Sequence, residues 1–415
     1  MPEAPGHERL CGVMTAEISP PPIPKPRSVV RTAIAAILSL TLVMSLVNAT
    51  VALASDSLVV FLGNHSLVGA LPWVALPTLL MTFAVYGLML LTPMIPKRWF
   101  IPLTLCGPVT ALAALPLMIY FHTQAPWIAF GISVVQMVVC LVVLRKMRGS
   151  WSIRWPLFNV DQLGDRGFRW GHTAGFATVN LLVLLPATVA YLVVCGGLAL
   201  NHYTGGFVSL RPEGMTMQAR KYIRDDGKTV ELVPMSHIGD SDFYQSLTAS
   251  FSPTAVILME GVSDKDKLFA NKVGYKKTAQ DLGLSEQQEF FKPKGELVAA
   301  DVDISQFSKA SLEYLKKTMT IHAKGVTPET LPLLMQPAPE DLPKRLIDDL
   351  LTLRNRHLLE VMEERLKTSD HIIIPWGAAH MPGISEGVLK AGFRVQDTED
   401  FVAIRFSGRK TAGGG

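Results

Sequence analysis

The chain has 415 residues, of which 49% are hydrophobic and 18% are charged, whereas an ordinary globular domain carries about 25% charged residues. Residues 1–200 contain 12 Lys and Arg against 6 Asp and Glu, and residues 201–415 contain 27 against 29, so the net charge of +4 combines +6 and −2. The excess positive charge lies among apolar runs, which excludes a basic nucleic-acid-binding protein. The composition also excludes fibrous, collagen-like and wholly disordered chains.

Five apolar stretches follow a Pro-rich leader, residues 1–31, and each reaches the length of about 20 residues that crosses a hydrocarbon core as a helix. None contains Asp, Glu, Lys or Arg, and core helices of soluble proteins usually have a polar face. The sequence therefore predicts an N-terminal membrane domain, residues 32–200, with five transmembrane helices. The predicted spans are 32–54, 68–94, 99–121, 126–144 and 176–200.

The basic residues predict the orientation, because Lys and Arg accumulate in cytoplasmic loops. All twelve precede the first span or lie between spans two and three or four and five, whereas loops 55–67 and 122–125 contain none. The N-terminus is then cytoplasmic, and residues 201–415 are periplasmic or extracellular. Segment 145–173 fits either the headgroup region or an ordinary cytoplasmic loop.

Few polar residues, such as Asn48, Gln136 and Asn180, interrupt the spans, and no ionisable side chain marks a proton or ion path. Intramembrane ionisable residues are the usual sign of such a path. Anchoring or sensing in the bilayer is therefore favoured over transport.

Beyond residue 200, short runs rich in Val and Ile alternate with amphipathic stretches, which predicts an α/β or α+β domain over residues 201–408 before a flexible tail, 409–415. This domain contains no Cys and must fold by burying an apolar core. Strands are predicted at 207–210, 230–235, 255–259, 372–376 and 401–406, and helices at 241–250, 276–282, 308–318, 343–367 and 385–391.

Three predicted strands end in residues with metal-binding capability: His237, Glu260 and His380. Ligands bind at the carboxyl ends of strands in open α/β sheets. Two His and one Glu there would make a first-row metal site with coordination positions left for water and substrate. Each residue alone also fits a surface or capping role, so both interpretations stay open.

Arg354 lies within the apolar stripe of the helix predicted at 343–367 and must find a compensating partner there. It would hold a substrate anion or a developing oxyanion, or form a structural salt bridge. Asp301 and Asp303 would support the site or begin the next helix through Ser305. The remaining candidate ligands have weaker patterns: His357 with Glu360, and His202, His322 and His371.

Several motifs together resemble the TraB/GumN/TIKI group in order and spacing. That group is defined by two GxxH motifs with a Glu and an Arg between them, and the resemblance covers residues 229–406. The first motif departs from the pattern, because Pro234 stands where the group usually has Gly. The matching segments are Val233-Pro234-Met235-Ser236-His237, Ile257-Leu258-Met259-Glu260, Leu282-Gly283-Leu284 with Gln287, Ala300-Asp301-Val302-Asp303, Arg354-Asn355 and Gly377-Ala378-Ala379-His380-Met381-Pro382-Gly383.

The resemblance implies a fold similar to the erythromycin-esterase-like and ChaN-like superfamily, with His237, Glu260 and His380 as ligands of a divalent metal and Arg354 as the site arginine. For the TIKI branch it implies metal-dependent proteolysis of exported proteins at a membrane, and for the TraB branch control of peptide pheromones.

The leading hypothesis is a membrane-anchored, metal-dependent hydrolase, a peptidase acting on exported peptides or proteins. Mn²⁺, Co²⁺ or Zn²⁺ would lower the pKa of bound water to make the nucleophile, and Glu260 would serve as ligand or as general base. The expected partners are the lipid bilayer and the exported substrate, without nucleic acid. The alternatives are a non-catalytic protein that binds a peptide or signal, and a transporter with an exported domain.

Overall fold

The computed structural model describes residues 28–151, 154–265, 276–325, 327–335, 339 and 341–406. The leader up to residue 27 and the predicted tail lie outside the described residues. Contacts divide the chain into two compact units, residues 1–113 with 124–182, and residues 114–123 with 183–415.

Five helices among the described residues are long and apolar enough to cross a membrane, which confirms the predicted count of apolar helices. They cover Val29–Leu62, Val68–Leu91, Lys97–Tyr120, His122–Arg148 and Trp170–Tyr203. The first is longer than predicted because it continues through Ser55, Asp56 and Ser57 into a second apolar run that ends at Leu62, before Gly63. That glycine has a φ of 61° and donates its N–H to carbonyls of the last turn, which ends the helix.

These stretches comprise six α-helical segments: α1 (Val29–Leu62), α2 (Leu71–Leu91), α3 (Lys97–Tyr120), α4 (Ala125–Arg148), α5 (Trp170–Val179) and α6 (Leu185–Tyr203). A π-helical segment, Asn180–Leu184, joins α5 to α6. Large apolar side chains such as Trp73, Leu182 and Phe83 are more than half exposed, as expected for helices whose solvent is hydrocarbon.

The segment predicted at 145–173 packs back onto α1. Leu157, Phe158 and Leu163 are buried in the same cluster as Leu38 of α1. The hydroxyl of Ser39 accepts the N–H of Phe158 at 2.9 Å and donates to its carbonyl at 3.2 Å. This connection therefore belongs to the packed first unit.

A mixed α/β fold forms the rest of the chain, which confirms the coarse prediction. Its strands are β1 (Val208–Arg211), β2 (Gly214–Ile223), β3 (Thr229–Met235), β4 (Ile238–Gly239), β5 (Val256–Met259), β6 (Ser285–Glu286), β7 (Glu296–Ala299), β8 (His371–Gly377) and β9 (Arg394–Arg405). Its helices are α7 (Ser241–Ser250), α8 (Lys276–Asp281), α9 (Gln287–Phe290), α10 (Lys309–Lys324), α11 (Leu331–Met335), α12 (Leu342–Ile347), α13 (Arg354–Arg365) and α14 (Met381–Lys390). A π-helical segment, Asp348–Leu353, joins α12 to α13.

Seven strands form the main sheet in the order β1-β2-β3-β8-β5-β7, and β9 pairs with β2. Strands β3, β8, β5 and β7 are parallel, whereas β1, β2 and β9 pair antiparallel. Because parallel neighbours run in one direction, the loops after β3, β5, β7 and β8 leave from the same edge of the sheet. The predicted metal ligands and supporting carboxylates follow these strands: His237, Glu260, Asp301, Asp303 and His380.

Both faces of the parallel region are covered, as such sheets require. Along β8, Ile372, Ile374 and Trp376 join a cluster with α13 and α14, whereas Ile373 joins a cluster with α7. All four side chains are fully buried. This alternation follows the two-residue period of a β-strand. Strand β8 therefore lies between the two layers of helices.

Strand pairing stops before the carboxyl edge on two sides. The pairing of β2 with β3 ends at Leu232, and that of β5 with β8 ends at Ile373. The β3–β8 pairing continues through Pro234 opposite Trp376. The neighbouring strands therefore separate where the candidate site lies.

Candidate functional site

Four of the predicted side chains meet at the carboxyl edge of the parallel strands. Glu260 follows β5, Asp301 follows β7, and His380 follows β8 immediately before α14. Arg354 opens α13 directly after the π-helical segment. These four residues, the Arg354 cluster, combine one guanidinium, two carboxylates and one imidazole.

Arg354 joins the other three. Its Nε and Nη2 donate to the two oxygens of Asp301 at 2.9 and 2.6 Å, and Nη2 also donates to Glu260 Oε1 at 2.9 Å. Its Nη1 donates to His380 Nε2 at 3.0 Å and to the Leu350 carbonyl at 3.4 Å. A guanidinium has five N–H donors. All five are therefore used within the protein.

Asp301 is the counter-charge of this arginine. Its side chain is fully buried, and it also accepts the backbone N–H groups of Gly261 at 3.0 Å and Val302 at 2.8 Å. Burial opposes the charge of Arg354, but the hydrogen bonds and charges of Asp301 and Glu260 outweigh it and raise the pKa of Arg354 above its usual value. The Asp301–Arg354 pair is thus a fixed ionic link between the loop after β7 and α13.

His380 is a neutral imidazole in a defined tautomer. Arg354 can only donate, so Nε2 must be the acceptor and Nδ1 must carry the proton. Nδ1 lies 2.7 Å from Asn355 Oδ1, to which it donates. Burial, followed by the nearby charge of Arg354, lowers the pKa of His380 to about 4. Its ring meets Trp376 edge to face at 5.1 Å.

Glu260 is the most accessible member of the Arg354 cluster. Its side chain is 21% exposed, against 10% for Arg354, 5% for His380 and 0% for Asp301. Oε2 accepts the backbone N–H of Gly377 at 2.6 Å, and Oε1 lies 3.6 Å from His380 Nε2. One carboxylate is therefore held firmly at a partly open position.

Asn355 and Gly383 complete the cluster, and the residue pattern alone gave neither a role. Asn355 accepts the N–H of His380 Nδ1, and only its place beside Arg354 in the segments quoted for the resemblance signalled it. A Cβ at Gly383 would lie 2.5 Å from the Asn355 amide nitrogen, so a larger residue there would displace the amide that bonds His380. The segment Gly377–Gly383 thus supplies both the imidazole and the space for its support.

His237 is the predicted ligand that follows β3. It occupies an exposed bend between β3 and β4, where its carbonyl accepts the N–H of Gln287 at 2.9 Å. Within the described residues, no three or more His, Cys, Asp or Glu side chains are placed to hold a metal ion. A metal site built from His237, Glu260 and His380 therefore stays a prediction.

The remaining predicted residues have local roles. Asp303 accepts the hydroxyls of Ser263 at 2.7 Å and Ser305 at 2.6 Å, so it joins the loops after β5 and β7. These hydrogen bonds, led by that of Ser305, lower its pKa. His357 is exposed near Glu360. The expectation that Asp303 begins a helical turn through Ser305 agrees with its capping of that segment.

The donor set as arranged does not fit a divalent metal. The single lone pair of His380 Nε2 accepts from Arg354, and a cationic guanidinium bonds Glu260 Oε1 as well. A metal ligand must offer that lone pair. A metal at this position would first have to displace the arginine from both donors.

Comparison with known proteins gives no further assignment: no family model, curated protein or solved structure matches the chain.

Replacing Arg354 by Met should lower the free energy of unfolding of the α/β domain by about 3–5 kcal/mol, because Asp301 is left buried and charged without its partner. Urea titration with pulse proteolysis of the detergent-solubilised full chain measures this loss. Arg356→Met is the matched control. Its side chain is 70% exposed, and the expected change is within about 0.5 kcal/mol. Equal effects of the two substitutions would contradict the role of the buried pair.

The depressed pKa of His380 should make the α/β domain less stable in mild acid. The unfolded chain binds this proton near pH 6.5, whereas the folded chain resists it until about pH 4. The stabilisation is therefore complete above pH 6.5 and is lost as the pH falls toward 4, by on the order of 3 kcal/mol. The same urea titration repeated across this range should show a flatter profile for His380→Gln than for the exposed-site control His357→Gln. Identical profiles would contradict this assignment.

Proposed function

We propose that the α/β domain is a hydrolase, anchored by the five apolar helices, that acts on exported peptides or proteins. The observation that supports it best is the geometry of Glu260. This carboxylate is fixed by Gly377 and Arg354, partly exposed, and beside a neutral imidazole at the carboxyl edge of a parallel sheet. Such edges are where α/β enzymes bind their substrates. The motif resemblance to the TraB/GumN/TIKI group supports the same reaction class.

In the proposed reaction, Glu260 acts as general base. Oε1 takes a proton from water as the water oxygen attacks the scissile carbonyl carbon, and the proton then passes to the leaving amine as the C–N bond breaks. The full use of the five Arg354 donors makes Arg354 a positioning residue for Glu260 and His380. No step passes through a metal ion, because the donor set does not fit one.

A second candidate is a non-catalytic peptide-binding protein, and one feature favours it. With His380 neutral, the Arg354 cluster carries one positive and two negative charges, a net charge of −1. Its accessible charge is the Glu260 carboxylate. A protonated peptide amino group is complementary to that carboxylate.

Replacing Glu260 by Gln should lower hydrolysis of fluorescently labelled casein peptides by about 10²–10⁴-fold, because Gln retains the shape of the side chain but cannot accept the proton. Glu296→Gln is the matched control, since Glu296 lies in β7 and is 59% exposed in an ion pair with Arg365. The release of labelled fragments by the full-length chain in detergent is the measurement.

Three results would change the proposal. An unchanged rate in Glu260→Gln removes the general base. Loss of activity on EDTA dialysis with recovery on Mn²⁺ assigns the protein to the metal-dependent class. Binding of the labelled peptides without cleavage, weakened by Glu260→Gln, supports the second candidate.

The proposed orientation places the α/β domain outside the cytoplasm, in agreement with the clustering of basic residues. A reporter that is active only in the cytoplasm should be silent when fused after residue 406 and active when fused before residue 28. Because five crossings place the two ends on opposite sides, the reverse result or equal activity at both ends would contradict the five-span orientation.

A further inference from the structure

A cavity of about 420 Å³ lies among helices α1, α2, α3 and α4, wholly within the first unit. This volume is in the range of sites that bind drug-sized molecules. Its apolar lining includes Leu76, Leu79 and Leu103, and prolines of α2 and α3 contribute as well. The cavity is independent of the Arg354 cluster and of the proposed hydrolysis.

One polar side chain at this cavity has no hydrogen-bond partner. Ser45 is 7% exposed, and its hydroxyl is buried without a partner among the described residues. Serine and threonine in membrane helices usually donate to a carbonyl one turn earlier, as Thr78 and Thr104 do at the same cavity. Ser45 therefore has hydrogen-bonding capacity that its own helix does not use.

Two amide side chains, those of Asn48 and Gln136, also line the cavity. Asn48 lies three residues after Ser45, on the same face of α1, and makes no side-chain hydrogen bond to any residue that the structure describes. Gln136 of α4 reaches the Thr110 hydroxyl only at 3.5 Å. The amide of Asn180, by contrast, has hydrogen-bond partners. It accepts from the Tyr86 hydroxyl and donates to the Phe176 carbonyl, both at 2.7 Å.

Unused donors and acceptors are costly in hydrocarbon, where no bulk water replaces the missing bond. The buried, unpaired hydroxyl of Ser45, with the amides of Asn48 and Gln136 at the same cavity, therefore indicates a ligand with hydrogen-bonding groups of its own. The described lining contains no Asp, Glu, Lys, Arg or His, so a charged ligand would lack a counter-charge. The leucines and prolines require the rest of the ligand to be apolar.

We propose that this cavity binds an uncharged amphipathic lipid from the bilayer. Its hydroxyl or carbonyl group bonds Ser45, Asn48 and Gln136, and its apolar chain packs against the leucines of α2 and α3. The five-helix region is then a lipid-binding domain as well as an anchor. The same chemistry would also admit an apolar solute with one hydroxyl group, so the experiment separates the two sources.

The test uses the full-length chain in phosphatidylcholine vesicles with a diazirine-bearing dodecanol as photoprobe. Incorporation should be saturable and should fall on peptides of α1 to α4 that line the cavity. The corresponding dodecane and dodecanoate probes should bind about threefold to tenfold more weakly, since one loses the hydrogen bond and the other brings an unpaired charge. Equal binding of all three probes overturns the proposal.

Ser45→Ala and Asn48→Leu should each weaken the dodecanol probe by about threefold to tenfold. Ser45→Ala removes a single oxygen, so it keeps the test valid where Asn48→Leu fails to fold. Thr50→Val is the matched control, because Thr50 is exposed on the same helix and bonds its own Leu46 carbonyl. Labelling that is unsaturable, spread evenly over all five spans, or unchanged in Ser45→Ala overturns the proposal.

Lipid extraction identifies the source. Protein purified from its own membranes should carry about one equivalent of an uncharged lipid by mass spectrometry, and Ser45→Ala should carry less. Saturable probe binding to a wild-type chain that copurifies with no such lipid overturns the bilayer lipid as the occupant and assigns the cavity to a solute from outside the bilayer.

Discussion

The ion pair of Arg354 with Asp301 is the interaction on which the rest of the candidate site depends. Because Asp301 is fully buried, its charge is supported by protein groups alone, and the guanidinium forms two of those hydrogen bonds. The remaining donors of Arg354 then have fixed directions, toward Glu260 and His380. The tautomer of His380 and the position of Glu260 Oε1 follow from these directions.

This dependence explains why the positive charge of Arg354 is found in an apolar stripe. Breaking a buried pair costs several kcal/mol, whereas forming it contributes little net stability. Such pairs are therefore better understood as devices of specificity. The buried arginine holds two carboxylates and one imidazole within hydrogen-bonding distance of a single side chain. The loops after the strands would not hold these groups as closely without it.

The sequence was sufficient to locate this site because its residues occur at recognisable places. Glu260 and His380 each follow a strongly apolar run. Arg354 interrupts an apolar helical stripe, and its charge requires a buried counter-charge.

The sequence could not predict which strands pair or which side chains form hydrogen bonds with each other. The strand β2 has mixed polar and apolar residues and was not predicted, and β7 is too short for its periodicity to be read. The full use of the Arg354 donors depends on how α13 meets the loops after β5 and β7, and the role of Asn355 depends on how α13 meets His380. The same limit holds in the first unit, where three polar residues were visible in the sequence but only the packing separates Asn180 from the two that face a cavity.

The two prolines at the end of the central strands have a consequence for the shape of the site. Pro234 of β3 and Pro375 of β8 lie beyond the last residues at which β2 and β5 pair with those strands, and neither has an N–H to donate. Additional strand pairing at these positions would lack a ladder hydrogen bond. The point at which pairing ends at the carboxyl edge is therefore encoded in the backbone. Substitutions among the side chains around Glu260 would leave that boundary of the sheet in place, because neither proline depends on those side chains for its missing donor.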